Sequence, residues 1–370
     1  MQWLPVILIL PYLFLLLKIY RSLLKVKPFV NTIDPVTYIS IVVPCRNEHE
    51  NLPSLLNCIS AQNYPLESFE VVIVDDNSTD KSMEVVIPFT RQMKIILTNN
   101  DGTGKKQAIR TGINASSGSL IITTDADCIT GKNWIRTIAA FYEKHKPDMI
   151  ICPVTIESGQ GFFRSFQELE FLSLQGITAG SASSGKGVMC NGANLAFTRE
   201  AYLKNEGNLH FEIESGDDIF LLHSLKKQTG SIILWLESHA ALVTTGSVTT
   251  LGSYLKQRKR WISKAKVYND SDTTLLGIVT FVTIFFQTSF LGAAIINKKF
   301  LPVFLVIFLL KSVPDFLILL NTSARYGRRK LMNWFLPAQI LYPFYVLSVA
   351  FYSLFPHKKK STNSPSPKET

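Results

Sequence analysis

Little in this chain supports a disulfide or metal scaffold. Its five cysteines, Cys45, Cys58, Cys128, Cys152 and Cys190, show no C-x-x-C spacing, so neither a disulfide framework nor a zinc site is indicated and reduced thiols are expected. Two cofactor signatures are missing as well. No G-x-G-x-x-G follows the first apolar strand pattern, which argues against a nicotinamide or flavin enzyme. The stretch DGTGKKQAIRTG (101–112) looks phosphate-binding, yet it lacks the earlier glycine of a P-loop, and Lys106 stands where Ser or Thr is required. Charge is absent over 273–297 and 331–356. With 46% hydrophobic residues in 370, part of the chain is expected to sit in lipid.

Crossing a bilayer takes about 20 apolar residues, and four stretches qualify as candidates: 3–17, 273–297, 300–320 and 331–356. The first is followed by Lys18, Arg21, Lys25 and Lys27 without a small-residue cleavage site, which reads as a retained anchor. The third is interrupted by Lys311, Pro314 and Asp315. Lys311 and Asp315 stand one helical turn apart, so they can pair on a helix; a structural pair and a role in a passage both remain open. The basic loops 18–27 and 325–330 favour the cytoplasmic side. Four spans satisfy both, at the expense of placing the HKKK run (357–360) outside, unless the third or last segment is re-entrant or lies along the surface. The expected division is an anchor (1–24), a cytoplasmic domain (25–272), a transmembrane region (273–356) and a disordered tail (357–370). Net charge is +10, but the basic residues cluster beside the apolar segments, so orientation explains them better than nucleic-acid binding.

Within 25–272, short apolar runs alternate with helical patterns. YISIVVP (38–44), EVVIVDD (70–76), KIILT (94–98), SLIITTDAD (119–127) and MIICPV (149–154) read as buried strands, separated by 48–61, 79–91, 104–116 and 132–145. That pattern predicts an α/β fold with a mostly parallel sheet covered on both faces. Ligands of such sheets bind beyond the carboxyl ends of the strands. There the sequence places Pro44, Arg46 and Glu48, then Asp75 to Asp80, then Asp125 and Asp127. Helix capping explains some of these polar residues, but not carboxylates at the ends of separate strands. A D-x-D pair can hold a divalent ion, and the ion a diphosphate. Farther on, an amphipathic helix is predicted over 159–178 and a flexible loop, GSASSGKG, over 180–187. Asp217 and Asp218 then open another predicted helix, where they either answer its dipole or take a proton from an attacking hydroxyl.

Taken together, IVVPCRNE, VVIVDDNSTD, GTGKKQAI, TTDADC, NGANLAFTRE, SGDD and QRKRW resemble, in order and spacing, the family 2 inverting glycosyltransferases of the GT-A fold. Within them, the resemblance is to the integral-membrane branch of cellulose, chitin and hyaluronan synthases. It implies a Rossmann-like GT-A domain between one N-terminal and about three C-terminal membrane helices. It also implies that Pro44, Arg46, Glu48, Asp76, Lys105 and Asp125 bind a nucleotide sugar, usually a uridine one, and that Asp127 with Asp125 holds Mg²⁺ or Mn²⁺. Asp218 matches the general base, flanked by Asp217. Gln257, Arg260 and Trp261 match a Q-x-x-R-W motif near the diphosphate and acceptor, leaving Arg258 and Lys259 in variable positions beside anionic headgroups. The implied reaction is transfer to a lipid-linked or growing glycan acceptor by an enzyme of the plasma membrane, with processive synthesis and export as an alternative. A nucleotidyltransferase would need a Gly- and Arg-rich loop where CRNEHE stands, and a non-catalytic sensor would be expected to lack some of the acids.

Overall fold

The computed structural model describes residues 4–354 apart from Glu214, so the HKKK run and the expected tail lie outside the described residues. Ten strands are present among them: β1 (Ile39–Cys45), β2 (Phe69–Asp75), β3 (Ile95–Asn99), β4 (Leu120–Thr123), β5 (Ile129–Thr130), β6 (Met149–Ile151), β7 (Val154–Ile156), β8 (Leu195–Thr198), β9 (Ile233–Trp235) and β10 (Val243–Thr245). A seven-stranded sheet has the order β3-β2-β1-β4-β8-β6-β9. β3, β2, β1 and β4 run parallel, and β8 alone is antiparallel to its neighbours. A small sheet, β5-β10-β7, stands beside it. The expected mostly parallel α/β fold is therefore present.

Alternation along β1 divides the core. Ile39, Ile41 and Val43 join Leu55, Ile59, Trp134 and Ile138 on one face. Val42 turns the other way, toward Ala108, Ile109 and Ile113, in a cluster that continues into Ile9, Leu16, Ile307 and Ile318 of the apolar helices. Register then fixes the cleft. Cys45 lies opposite Asp75, and Val42 opposite Thr123, so the residues after β1, β2 and β4 emerge at one edge.

Several local expectations are corrected. The strand expected over 119–127 ends at Thr123, leaving both carboxylates of the D-x-D on the loop beyond it. The helix expected over 79–91 is a 3₁₀ turn, Glu84–Arg91, with Pro88 inside it; proline removes an α-helical donor. The helix expected over 159–178 runs Phe162–Ser183 and absorbs the start of the expected loop at 180–187.

Among the described residues, three stretches are long and apolar enough to cross a membrane: Ser271–Ile296, Lys298–Arg325 and Arg329–Leu354. The N-terminal segment is different. It forms a four-residue helix, Leu4–Ile7, and a 14-residue one, Leu10–Leu23, because Pro11 cannot donate the bond that would join them. Lys311 and Asp315 do form the structural pair. Lys311 Nζ donates to Asp315 Oδ2 (2.6 Å) and Gln339 Oε1 (2.7 Å), and Tyr12 donates to Asp315 Oδ1 (2.6 Å).

The helix Phe162–Ser183 joins the sheet domain to these apolar helices. Its Gly176 faces Thr322 and Ile318, and its Gly180 faces the carbonyl of Ile19, where an added Cβ would come within 2.5 Å of the oxygen. Small residues four apart let helix backbones approach closely. At the same junction, Arg325 donates to the carbonyls of Leu23 (2.9 Å) and Val26 (3.1 Å), which brings the two basic loops together.

Gly180→Ala is therefore expected to destabilise the protein by about 1–3 kcal/mol of overpacking, outweighing the roughly 1 kcal/mol gain in helix propensity. Gly207→Ala, which meets nothing within 4 Å, is the control. Thermal unfolding in detergent reads both; equal melting temperatures would show that the contact at Gly180 is slack.

Candidate active site

The turns after β1 and β2 are stapled together. Asn47 and Asn77 take left-handed backbone conformations (φ 58° and 60°), which Asn tolerates better than most residues. Asn47 Oδ1 accepts from the Thr79 amide (2.8 Å), and the amides of Asn47 and Glu48 donate to the hydroxyls of Ser78 (3.0 Å) and Ser82 (2.7 Å). Asp76 lies behind them, 5% exposed. It accepts from the Gly104 amide (2.8 Å) and Asn100 Nδ2 (2.7 Å), with Arg46 Nη1 at 3.7 Å. Burial raises the Glu48 carboxyl above its ordinary range; a bond from Asn51 opposes the shift, while Asp127 and Asp125 add to it.

Asp125 and Asp127 flank Ala126 in the loop after β4. Asp125 is ion-paired with Lys105, from the first turn of the helix Lys105–Ala115. Asp127 opens onto the cleft and accepts from the Thr245 hydroxyl of β10 (3.0 Å). Desolvation by the surrounding atoms, then the charge of Asp125, raises its carboxyl above the ordinary range. Glu48, Asp125 and Asp127 thus feel one another's negative charge, and Lys105 pairs with Asp125 among them. Among the described residues no three His, Cys, Asp or Glu converge into a complete metal cage. The pair supplies only part of a hard, all-oxygen coordination shell, which suits a divalent ion completed by phosphate and water.

Asp217 and Asp218 open the helix Asp217–Lys227, where its N-terminal dipole favours carboxylates. Asp218 accepts from the Gly192 amide (3.1 Å) and from the Ile219 amide (2.8 Å). A Cβ at Gly192 would meet Asp217 Oδ2 at 3.4 Å, so this glycine leaves both acids room. Burial, then the charge of Asp218, raises the Asp217 carboxyl, with Lys105 and Lys264 opposing. Lys105 feels both groups of acids. Burial alone would lower its amine, but Asp125, Asp217 and Asp218 raise it above the ordinary value.

Two residues passed over in the sequence shape this site. Asn194 is fully buried; it donates to the carbonyls of Pro153 (2.7 Å) and Ala241 (2.8 Å) and accepts from Trp134 Nε1 (2.9 Å), fixing the loop that carries Gly192. Lys106 is buried with its Nζ donating to the carbonyls of Leu209 (2.9 Å) and His210 (2.8 Å). Burial brings its amine down to about 8. It anchors the segment leading to Asp217. Asn194 lies in the recognised NGAN stretch, but only its partners show its role, and nothing in KK separates Lys106 from Lys105.

QRKRW lies on the helix Leu251–Ser263, capped by Thr250. Contrary to the headgroup expectation, Arg258 and Lys259 are buried. Arg258 Nε donates to Glu170 Oε2 (2.9 Å), and the same carboxylate accepts from the hydroxyls of Tyr254 (2.6 Å) and Tyr345 (2.6 Å). Lys259 Nζ sits 4.4 Å from the Tyr352 ring centroid. Arg260 is exposed, Gln257 half-buried and bonded to Arg258 (2.6 Å). Trp261 packs against Val154, Ile156 and Phe171. β7 pairs with β10, whose Thr245 reaches Asp127, so the small sheet links Trp261 to the D-x-D loop. Just beyond the helix, Lys264 Cδ lies 2.9 Å from where a Gly216 Cβ would stand, against the start of the Asp217 helix.

Residues 40–206 match the family described as glycosyl transferase family 2. The chain is similar to poly(ribitol-phosphate) beta-N-acetylglucosaminyltransferase TarS of Staphylococcus aureus, with 29% identity over 126 residues, 33% of this chain and 22% of TarS. It is also similar to the undecaprenyl-phosphate 4-deoxy-4-formamido-L-arabinose transferase of Photorhabdus laumondii, with 38% identity over 98 residues, 25% of this chain and 30% of that protein. The chain thus spans less than a third of the length of either relative. Among solved structures, a mannosyltransferase from Pyrobaculum calidifontis in complex with GDP-Man and Mn²⁺ superposes with a TM-score of 0.58 at 18% identity, over 96% of this chain and 99% of that one. The fold is shared across both the sheet domain and the apolar helices.

Glu170→Leu leaves the Arg258 guanidinium buried without its partner and is expected to cost about 3–5 kcal/mol. Arg260→Ala, at an exposed position, should melt within a degree or two of the parent, roughly the range of surface changes. If the Glu170 variant melts like the parent, the buried node carries no stability.

Proposed function

We propose that this chain, whose residues 40–206 match glycosyl transferase family 2, transfers a sugar, with inversion, from a nucleotide-sugar donor to a lipid-linked or growing glycan acceptor at a membrane surface. The observation that carries this reading is Lys105, whose amine is paired with Asp125 and held in the field of Asp217 and Asp218. A donor-side pair of acids and an acceptor-side pair of acids thereby face one cleft.

In this reading the nucleotide lies along Pro44, Arg46, Glu48 and Asp76, whose carboxylate is fixed to accept from a base. Asp125 and Asp127 would hold Mg²⁺ or Mn²⁺, which when bound would supply positive charge to the diphosphate. The P. calidifontis protein, which shares the fold and is in complex with GDP-Man and Mn²⁺, supports a nucleotide sugar and a divalent ion as the ligand classes. Lys105 offers a second cation to the same phosphates. Asp218, oriented by the Gly192 amide, takes the proton of the acceptor hydroxyl. The hydroxyl oxygen bonds to the anomeric carbon as the bond to the diphosphate oxygen breaks, so configuration inverts in one displacement without a covalent enzyme intermediate. Asp217, its carboxyl raised beside Asp218, limits like-charge repulsion there by holding a proton more readily. Arg260 and Gln257 face the diphosphate, and Trp261 the acceptor. A uridine donor is favoured by the motif resemblance. Three apolar helices among the described residues support a seat for the domain on a membrane, and the basic loops, brought together by Arg325, support an orientation toward the cytoplasmic face of the plasma membrane.

Purified protein in lipid nanodiscs, incubated with Mn²⁺ and radiolabelled nucleotide sugars, should give labelled product. Asp218→Asn should lower turnover by about 10²–10⁴-fold, the usual contribution of a positioned base; undiminished turnover would remove Asp218 from that role.

Mn²⁺ binding, read by electron paramagnetic resonance, offers a test independent of turnover. Asp127 titrates above the ordinary aspartate range, and its protonated form cannot bind the ion. Affinity should therefore fall, as pH is lowered, sooner than an unperturbed aspartate would allow. Asp127→Ala should abolish this pH dependence together with most of the affinity. Unchanged binding in that variant would place the ion elsewhere.

A further inference from the structure

A cavity of about 590 Å³ lies between the helix Phe162–Ser183, the QRKRW helix and the three apolar stretches. That is within the roughly 300–1,000 Å³ of ligand-binding cavities. Leu169, Leu276, Phe281, Ala338, Val346 and Trp261 are among its walls. The charged groups that reach it are already compensated. Glu170 accepts from Arg258, Tyr254 and Tyr345, and Asp315 accepts from Lys311, Tyr12 and Gln339.

We propose that this cavity holds the hydrocarbon chain of a membrane-lipid acceptor, whose headgroup emerges beside Trp261 toward Asp218, so that the protein glycosylates single lipid molecules instead of extruding a polymer. The proposal rests on the glycosyltransferase reading and chooses between the acceptor classes it leaves open. Three observations carry it. The walls are largely hydrocarbon, and sugar hydroxyls buried there would lose water without gaining partners, whereas a chain gains by leaving water. The cavity is built from the stretches that are apolar enough to sit in a bilayer, which gives a lipid a route in from the side. It is also continuous with the site: Trp261 and Arg258 line it, as does Tyr268, whose phenol is raised by burial and then by the charge of Asp218. A lipid anchored there presents its head where the proposed base stands. One relative is named for undecaprenyl-phosphate, which carries such a chain.

The test uses the full chain in nanodiscs and a long-chain fatty alcohol with a diazirine near its methyl end, with crosslinked residues mapped by mass spectrometry. Label is expected on Phe166 and Leu169, which are buried and lie outside the apolar spans. Ala338→Trp, filling the cavity, should lose that label while the outward-facing Leu309 and Ile295 keep theirs. The alcohol map of the unsubstituted protein stands even if the Trp variant fails to fold. Label confined to outward-facing residues would overturn the proposal. So would a chito-oligosaccharide that displaces the alcohol from Phe166 and Leu169, since the cavity would then be a glycan path. Product size gives a second reading: a one-sugar lipid is expected, and a high-mass glycan would contradict it. Internal labelling without turnover on any nucleotide sugar would sink the glycosyltransferase reading while leaving a lipid-chain site. Turnover without internal labelling would do the reverse.

Discussion

Like charges gathered in a cleft are the constraint around which this domain is arranged. Glu48, Asp125 and Asp127 stand on one side of Lys105 and Asp217 and Asp218 on the other; burial, and then the neighbouring charges, raise the carboxyls of Glu48, Asp127 and Asp217. The protein answers with fixed donors: Lys105 on Asp125, Thr245 on Asp127, and the Gly192 amide on Asp218. Each comes from a different element, so the sheet register and the NGAN loop must be in place before the charges can be held. Five carboxylates face one lysine there, an excess of negative charge that in the proposed reading a divalent ion would offset. A site built in this way favours the state in which negative charge develops on a leaving group rather than on the protein.

The second constraint is Glu170. A carboxylate buried in the helix Phe162–Ser183 is costly unless fully bonded, and its partners Arg258, Tyr254 and Tyr345 come from the QRKRW helix and the last apolar helix. That one side chain ties the sheet domain, the motif helix and the membrane region into a single packing unit. Gly176 and Gly180 on the same helix do the equivalent for backbone approach. Trp261 is consequently presented between the cleft and the apolar cavity, not left on a mobile flank.

Much of the fold was legible because buried parallel strands carry unbroken β-branched runs: the boundaries expected for β1, β2 and β3 lie within a residue or two of Ile39–Cys45, Phe69–Asp75 and Ile95–Asn99. The acids at strand ends were legible through motif order and through the rule that ligands bind at carboxyl edges. Tertiary packing defeated the rest. Arg258 was read as a headgroup contact because its partner Glu170 lies 88 positions away in sequence. Lys106 carries no local sign of its carbonyl partners, which are more than 100 positions distant. The break at Leu8 and Ile9 in the N-terminal run was not legible because hydropathy ignores the donor that Pro11 lacks, and Ser181 to Ser183 looked like loop because their helix is stabilised by the fit of Gly180 against Ile19.

The central claim is a single displacement at one cleft, with Asp218 as base and no covalent enzyme intermediate. Proton NMR of the product's anomeric centre tests it most directly. A donor with an α-linked sugar should yield a β-linked product from the first turnover onward. An α-linked product would contradict the account, since retention by two displacements needs an enzyme nucleophile, and Asp218 acting as a base is not one.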